Sequence, residues 1–204
     1  MEESVNFEML PLQPPSNDPI ETARGLMRCE RLHIAYFTVN LEVCGLDDWE
    51  TKKKSVLRWL NRTEMKRTNE DHYWTDRAHL QQDKFYSDEF VNVFNPELQL
   101  FRKEADIDTV FISDIWFVEY EKGDYQLPHT HESSRYTGLL YVCLTDDNPP
   151  TTIVQPWYSY WGTKQIQPDV KEGTMMFIPS HLLHFSQTNR VDNIKSVLSF
   201  DLRS

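Results

Sequence analysis

Hydrophobic positions along this chain change their period near residue 109. Before that point several segments repeat at helical spacing. Trp49, Val56, Leu57 and Leu60 follow Asp47 and Asp48, either of which can cap a helix. Ser87 is placed to cap a second helix, with Phe90 and Phe94 four apart on one face. Asn95-Pro96 then predicts a restart, Asn as cap and Pro in the first helical position, with Leu98 and Phe101 three apart. Ahead of these helices, residues 31–44 alternate in part and are rich in β-formers, which predicts a strand ended by Gly45. Residues 61–85 are polar with scattered aromatics and read as loop with short helical pieces.

After residue 109 the texture is that of strands. Residues 109–123, 135–144, 151–157, 173–179, 182–187 and 194–202 are apolar runs separated by turn residues such as Asp146-Asp147-Asn148-Pro149-Pro150. Many short strands between turns indicate a sandwich or barrel, with the helices packed on its outside. The expected class is α+β in one domain spanning 1–204. Residues 1–20, with Pro11, Pro14, Pro15 and Pro19, form an extended arm; residues 31–105 give strand plus helical support; residues 107–203 form the β core.

Composition narrows the function. Hydrophobic residues at 39% and charged residues at 26% describe an ordinary globular chain of 204 residues, long enough for a sizeable core. A formal net charge of -11 repels phosphate backbones, so non-specific nucleic-acid binding is not expected. Lys52-Lys53-Lys54 reads as a solvated helix face. Cys29, Cys44 and Cys143 show no CxxC spacing and read as reduced thiols, in keeping with a cytoplasmic setting. No apolar stretch reaches membrane-span length, and Met1-Glu2-Glu3 is not the start of a signal peptide.

Three of the seven histidines stand out. His129 and His131 form H-x-H, and residues two apart on a strand point to one face. With His184 far downstream they can complete one face of an octahedron around Fe, Zn, Cu or Ni and leave positions open. His181, three residues before His184, is a rival for the third place. Lys195 opens the apolar strand KSVLSFDL, where a cation is costly unless something anionic meets it. Trp157, Tyr158, Tyr160 and Trp161 could line a substrate mouth, the competing reading being a loop packed on the sheet.

These segments carry a resemblance. G-x5-H-x-H from Gly123, Gly138, and Gly173-x5-Pro179-x-His181-x2-His184 follow the two cupin motifs, although Arg135 and Tyr136 stand where a glutamate is sought. Residues 115–142 and 170–202 resemble the phage-type 2-oxoglutarate/Fe(II) oxygenases, a prolyl-hydroxylase-like group. Gly123, Tyr125, His129, His131, Thr137, Gly138, Tyr141, Glu172, Gly173, Phe177, Pro179, Ser180, His184, Ser199 and Phe200 fall on that pattern, which covers residues 85–203. The resemblance implies a double-stranded β-helix (jelly-roll or cupin-like barrel), Fe(II) as the metal, and 2-oxoglutarate as cosubstrate. It also implies that Lys195, Tyr141 and Ser199 hold the cosubstrate, and that a substrate is hydroxylated with release of succinate and CO2.

Two departures matter. Lys195 stands for the family arginine, and Asp201 for its terminal asparagine. The usual ligand set is H-x-D/E…H, so His129 as first ligand puts His131 in the carboxylate position. His131 as first ligand would put Ser133 there and leave two histidines. The first register is preferred. Other classes remain open: a thiol-dioxygenase-like cupin without 2-oxoglutarate, a cupin isomerase or epimerase, and a non-catalytic phage accessory or structural barrel.

Overall fold

The structure is a computed structural model and describes residues 10–11, 27–33, 40–68, 72–77, 84–131, 134–154 and 165–203. Helices α1 (Trp49–Arg62) and α2 (Ser87–Glu104) precede the β-rich part, as the periodicity predicts. Ser87 is the first helical residue rather than the cap, which falls on Tyr86. The predicted restart at Asn95 does not occur, because α2 runs through Pro96. An interior proline removes one hydrogen bond and costs about 3 kcal/mol. Phe90, Phe94, Leu98 and Phe101 are all fully buried along the same helix face. Each such side chain is worth roughly 1.5–3 kcal/mol, so their burial outweighs the lost bond.

Residues 31–44 form parts of two strands, not one. β2 (Met27–His33) pairs antiparallel with β3 (Asn40–Leu46), with Leu32 opposite Leu41 and Glu30 opposite Val43. A run of β-formers does not show where the chain folds back on itself. Short pieces β1 (Leu10–Pro11), β4 (Lys66–Arg67) and β5 (Trp74–Thr75) come from segments read as arm or loop. The predicted C-terminal strands are found as β6 (Phe111–Tyr120), β8 (Tyr136–Cys143), β9 (Thr151–Val154), β11 (Thr174–Pro179), β12 (His184–Ser186) and β13 (Lys195–Arg203). β7 (Gln126–His129) and β10 (Gln165–Ile166) complete the set.

The strands make two antiparallel sheets. The larger has the order β2-β3-β11-β8-β13-β6-β5-β4, with β1 also on β6; the smaller has the order β10-β9-β12-β7. Period-2 alternation explains how both faces of the larger sheet are buried. Ile115 and Phe117 of β6, Leu140 and Val142 of β8, Met175 and Phe177 of β11, and Leu198 and Phe200 of β13 pack with the helices. Their neighbours Leu139, Tyr141, Met176, Ile178 and Val197 pack the other way, with Ile153 of the smaller sheet. Trp116, Val118 and Tyr120 form a third cluster on β6.

Register shifts against β13, one on β8 and one on β6, interrupt this alternation. On β6, Asp114 pairs with Asp201 but Ile112 pairs with Leu202, so Ser113 is an extra residue. This bulge lets Ile112 and Ile115 both reach the helix-side core.

Gly138 is required by space. A Cβ there would lie 2.0 Å from the Phe200 ring, which packs between Phe90 and Phe177. At Gly45 a Cβ would meet nothing within 4 Å. Gly138→Ala should therefore destabilise the fold by about 1–3 kcal/mol or more, the cost of overpacking, while Gly45→Ala stays within about 0.5 kcal/mol. Urea denaturation of the two variants beside the parent checks this, and equal midpoints would contradict it.

Candidate metal centre

Between the larger and smaller sheets lies a cavity, part of it open to solvent. Trp116, Val118, Tyr120, Leu139, Val197 and Ser199 line it from the larger sheet, and Gln126, His129, Thr151, His184 and Ser186 from the smaller. His131 enters it from just beyond β7. The strand argument for H-x-H thus holds only as far as His129, and His131 is set by another device. Its backbone N–H donates to the Ser180 carbonyl (2.9 Å), and Ser180 N–H donates to the Arg135 carbonyl (3.1 Å), pinning this loop to the end of β11.

His129, His131 and His184 converge. Each offers a ring nitrogen within 4.8 Å of the others. Ring centroids lie 5.1 Å apart for His129 and His131, 4.5 Å for His129 and His184, and 5.2 Å for His131 and His184. Strand pairing places the first and third, since His184 lies opposite His129 across the β12–β7 ladder. His181 is exposed and stands outside the cluster. Ser133, the alternative ligand, lies outside the described residues, as do Trp157, Tyr160 and Trp161.

Hydrogen bonding selects the tautomers. His129 Nδ1–H donates to the Leu127 carbonyl and His184 Nδ1–H to the Leu182 carbonyl, each at 2.9 Å. A carbonyl can only accept, so Nδ1 carries the proton and Nε2 keeps its lone pair for a metal. His131 Nδ1 is 2.9 Å from Asp201 Oδ1, a contact with the distance but not the alignment of a hydrogen bond. Both ring nitrogens of His131 are buried and unpartnered by hydrogen bonds. Three neutral nitrogen donors with a buried orphan among them fit a divalent cation. Trp116 stacks on the His131 ring at 5.7 Å and 19°, and the Arg77 guanidinium lies 3.9 Å from the centre of the Trp116 ring.

The cosubstrate residues expected from the sequence fall around the cavity's far end. Ser199 lines it directly. Tyr141 is fully buried, and its hydroxyl accepts from the N–H of Thr151, a lining residue, at 3.2 Å. Burial pushes its phenol up to about 12. Lys195 is fully buried behind the lining; its ammonium donates to the Pro149 carbonyl (2.8 Å) and Ser186 Oγ (2.9 Å) and lies 5.0 Å from the Tyr120 ring centre. No carboxylate pairs with it among the described residues, and desolvation pushes its amine down to about 7.

Sequence reading missed Trp116, Arg77 and the place of Asp201. Arg77 sits in the polar stretch after α1, where no period marks it. Asp201 was legible in principle: Lys195, Val197, Ser199 and Asp201 alternate along β13, so one face of an apolar strand carries a cation at one end and an anion at the other.

Neither a family model nor a curated protein sequence matches the chain. Solved structures do. A 2OG-Fe(II) oxygenase family oxidoreductase from Burkholderia pseudomallei aligns over 91% of this chain and 88% of its own, with TM-score 0.61 and 12% identity. The double-stranded β-helix is this protein's fold. The α-ketoglutarate-dependent non-heme epimerase SnoN from nogalamycin biosynthesis aligns over 77% of this chain and 72% of its own (TM-score 0.56, 13% identity). A truncated viral collagen prolyl hydroxylase from Paramecium Bursaria Chlorella virus-1 aligns over 85% and 99% (TM-score 0.53, 13% identity). At such identities the likeness is one of fold. In this double-stranded β-helix the histidine cluster lies between the two sheets, and among the described residues no helix is long and apolar enough to cross a membrane.

The metal-free centre should make the fold acid-sensitive. Desolvation first, and then the neighbouring His129, push His184 down to about 3. Between pH 6.5 and 3 the unfolded chain therefore binds a proton that the native state refuses, so stability falls as pH falls through that window. The share of His184 is about 1.4 kcal/mol per pH unit. Urea melts of metal-free parent and His184→Asn at about pH 7.5, 6 and 5 should show the variant's stability falling less steeply by about that amount. Parallel slopes would mean that His184 is not a buried neutral imidazole.

Proposed function

We propose that the protein is an Fe(II)- and 2-oxoglutarate-dependent dioxygenase that hydroxylates its substrate. The observation that carries this reading is a cavity lined by three convergent imidazoles, with a fully buried lysine bonded to its lining residue Ser186 that has no carboxylate partner among the described residues. His129, His131 and His184 would hold the iron through Nε2. Iron with 2-oxoglutarate would supply the activation of dioxygen, one oxygen atom going to succinate as 2-oxoglutarate loses CO2 and the other into a C–H bond of the substrate.

The protein's own part is placement. Ser186 lies two residues along β12 from His184, roughly 7 Å of strand. The ammonium of Lys195, bonded to Ser186, is thus set about one small dicarboxylate away from the histidines. A carboxylate arriving there would give the buried amine the counter-charge it lacks, and Ser199 and Tyr141 would add hydroxyls. The carbonyls of Leu127 and Leu182 fix the tautomer and the aim of two of the imidazoles. The proposal extends to a small-molecule substrate and cosubstrate in a reducing, cytoplasmic setting.

Anaerobic titration with Fe(II) and 2-oxoglutarate tests the centre directly: a weak visible charge-transfer band is expected, and its absence with both present would overturn the reading. Product mass separates hydroxylation, which adds an oxygen atom, from epimerisation, the reaction for which SnoN is named.

Two further outcomes concern Lys195. Lys195→Met should weaken 2-oxoglutarate binding by about tenfold or more, the worth of a charged hydrogen bond, and leave Mn(II) affinity within about threefold. Because the free amine titrates near 7, binding a carboxylate must raise it and take up a proton above that pH. Calorimetry in buffers of different ionisation enthalpy should show nearly one proton taken up at about pH 8 and almost none at about pH 6. No uptake at the higher pH would remove Lys195 from the cosubstrate site.

A further inference from the structure

We propose that Asp201 supplies the anionic charge of the metal centre from behind His131, in place of a carboxylate bound to the metal itself. The inference rests on the metal-site reading above and deepens it. Three histidines bring no charge to a divalent cation. Asp201, 2% exposed, holds Oδ1 at 2.9 Å from His131 Nδ1, on the ring edge opposite Nε2. Thr137 Oγ1 donates to the same oxygen at 3.0 Å and fixes its position. A metal bond at Nε2 leaves the proton on Nδ1, and that proton has Asp201 as its acceptor within reach.

The surroundings keep this charge from being cancelled. Asp114 lies directly opposite Asp201 on the β13–β6 ladder. Arg77 reaches both, with Nε 3.4 Å from Asp114 Oδ2 and Nη2 3.6 Å from Asp201 Oδ2. Two carboxylates and one guanidinium leave a formal charge of one negative unit against His131. Trp116 stacks on the His131 ring at 5.7 Å and 19°. Trp116 sets the plane of the ring, and Asp201 Oδ1 lies 2.9 Å from its Nδ1. Asp201 is a positioning residue: it acts on the metal through His131.

Co(II) binding to the full chain, read by calorimetry and by the visible ligand-field bands, tests this with two variants of opposite charge. Asp201→Asn keeps the shape and the contact with Thr137 and removes the charge. It should weaken Co(II) binding by about ten- to a hundredfold, the usual cost of losing such a partner. Arg77→Gln removes the opposing charge and should leave binding unchanged or tighter. In the Zn(II)-loaded protein, the Nδ1–H resonance of His131 should be present in the parent and shifted or lost in Asp201→Asn. Thermal melting checks that both variants fold. Loss of Co(II) binding in both variants alike would make the cluster a scaffold and overturn the proposal, as would Asp201→Asn binding within about twofold of the parent. A parent that binds no metal would overturn the metal-site reading, and this proposal with it.

Discussion

Burial on both faces of β6, β8, β11 and β13 is the constraint on which the rest of this molecule depends. Alternate residues of these strands go to the helix layer and to the space between the sheets. The chain cannot therefore change its core and its cavity separately, because the two are interleaved one residue apart. Phe200 and Asp201 show this most directly: one closes the helix-side core with Phe90 and Phe177, and the next lies against a histidine of the cluster. A one-residue slip of β13 would exchange them, burying a carboxylate among aromatics. The cost of that exchange fixes the register and, with it, the centre.

Within this frame the polar residues of the cavity are held at two levels of satisfaction. His129 and His184 have backbone carbonyls two residues behind them, so their free nitrogens are set before anything binds. His131 and Lys195 are different. One lacks an aligned hydrogen bond, and the other has hydrogen bonds but no carboxylate partner among the described residues. A protein interior leaves few groups in that condition without a use for them. His131 lines the cavity, and Lys195 lies just behind it, bonded to the lining residue Ser186.

Much of this was legible in the sequence because β-strands write their faces in alternation. The strand positions from residue 109 onward, the grouping of His129, His131 and His184, and the oddity of Lys195 all come from period and spacing. The features that stayed hidden depend on chain reversal or on contacts between distant segments. β2 and β3 pair antiparallel, although residues 31–44 read as one run of β-formers. Pro96 looks like a boundary, yet the helix passes through it because four buried side chains outweigh one missing bond. Strand alternation alone does not account for His131: the ladder ends at His129, and the loop bond to Ser180 holds His131 in place. Arg77 and Trp116 meet only in three dimensions.

The bulge at Ser113 has a genetic consequence. It works as a phase shifter: one unpaired residue lets the start of β6 and its remainder keep separate reading frames against β13. Ordinarily a single-codon insertion or deletion in a doubly buried strand turns every later side chain inside out. Here a joint already absorbs one residue, next to Asp114 and ahead of the cavity-lining Trp116. Codon gains or losses just before it would disturb Phe111 and Ile112 and their pairing with β1 and with the end of β13. The same change after it would carry Trp116, Val118 and Tyr120 from the cavity into the helix layer. Length variation among natural variants of this chain should collect on the near side of that joint.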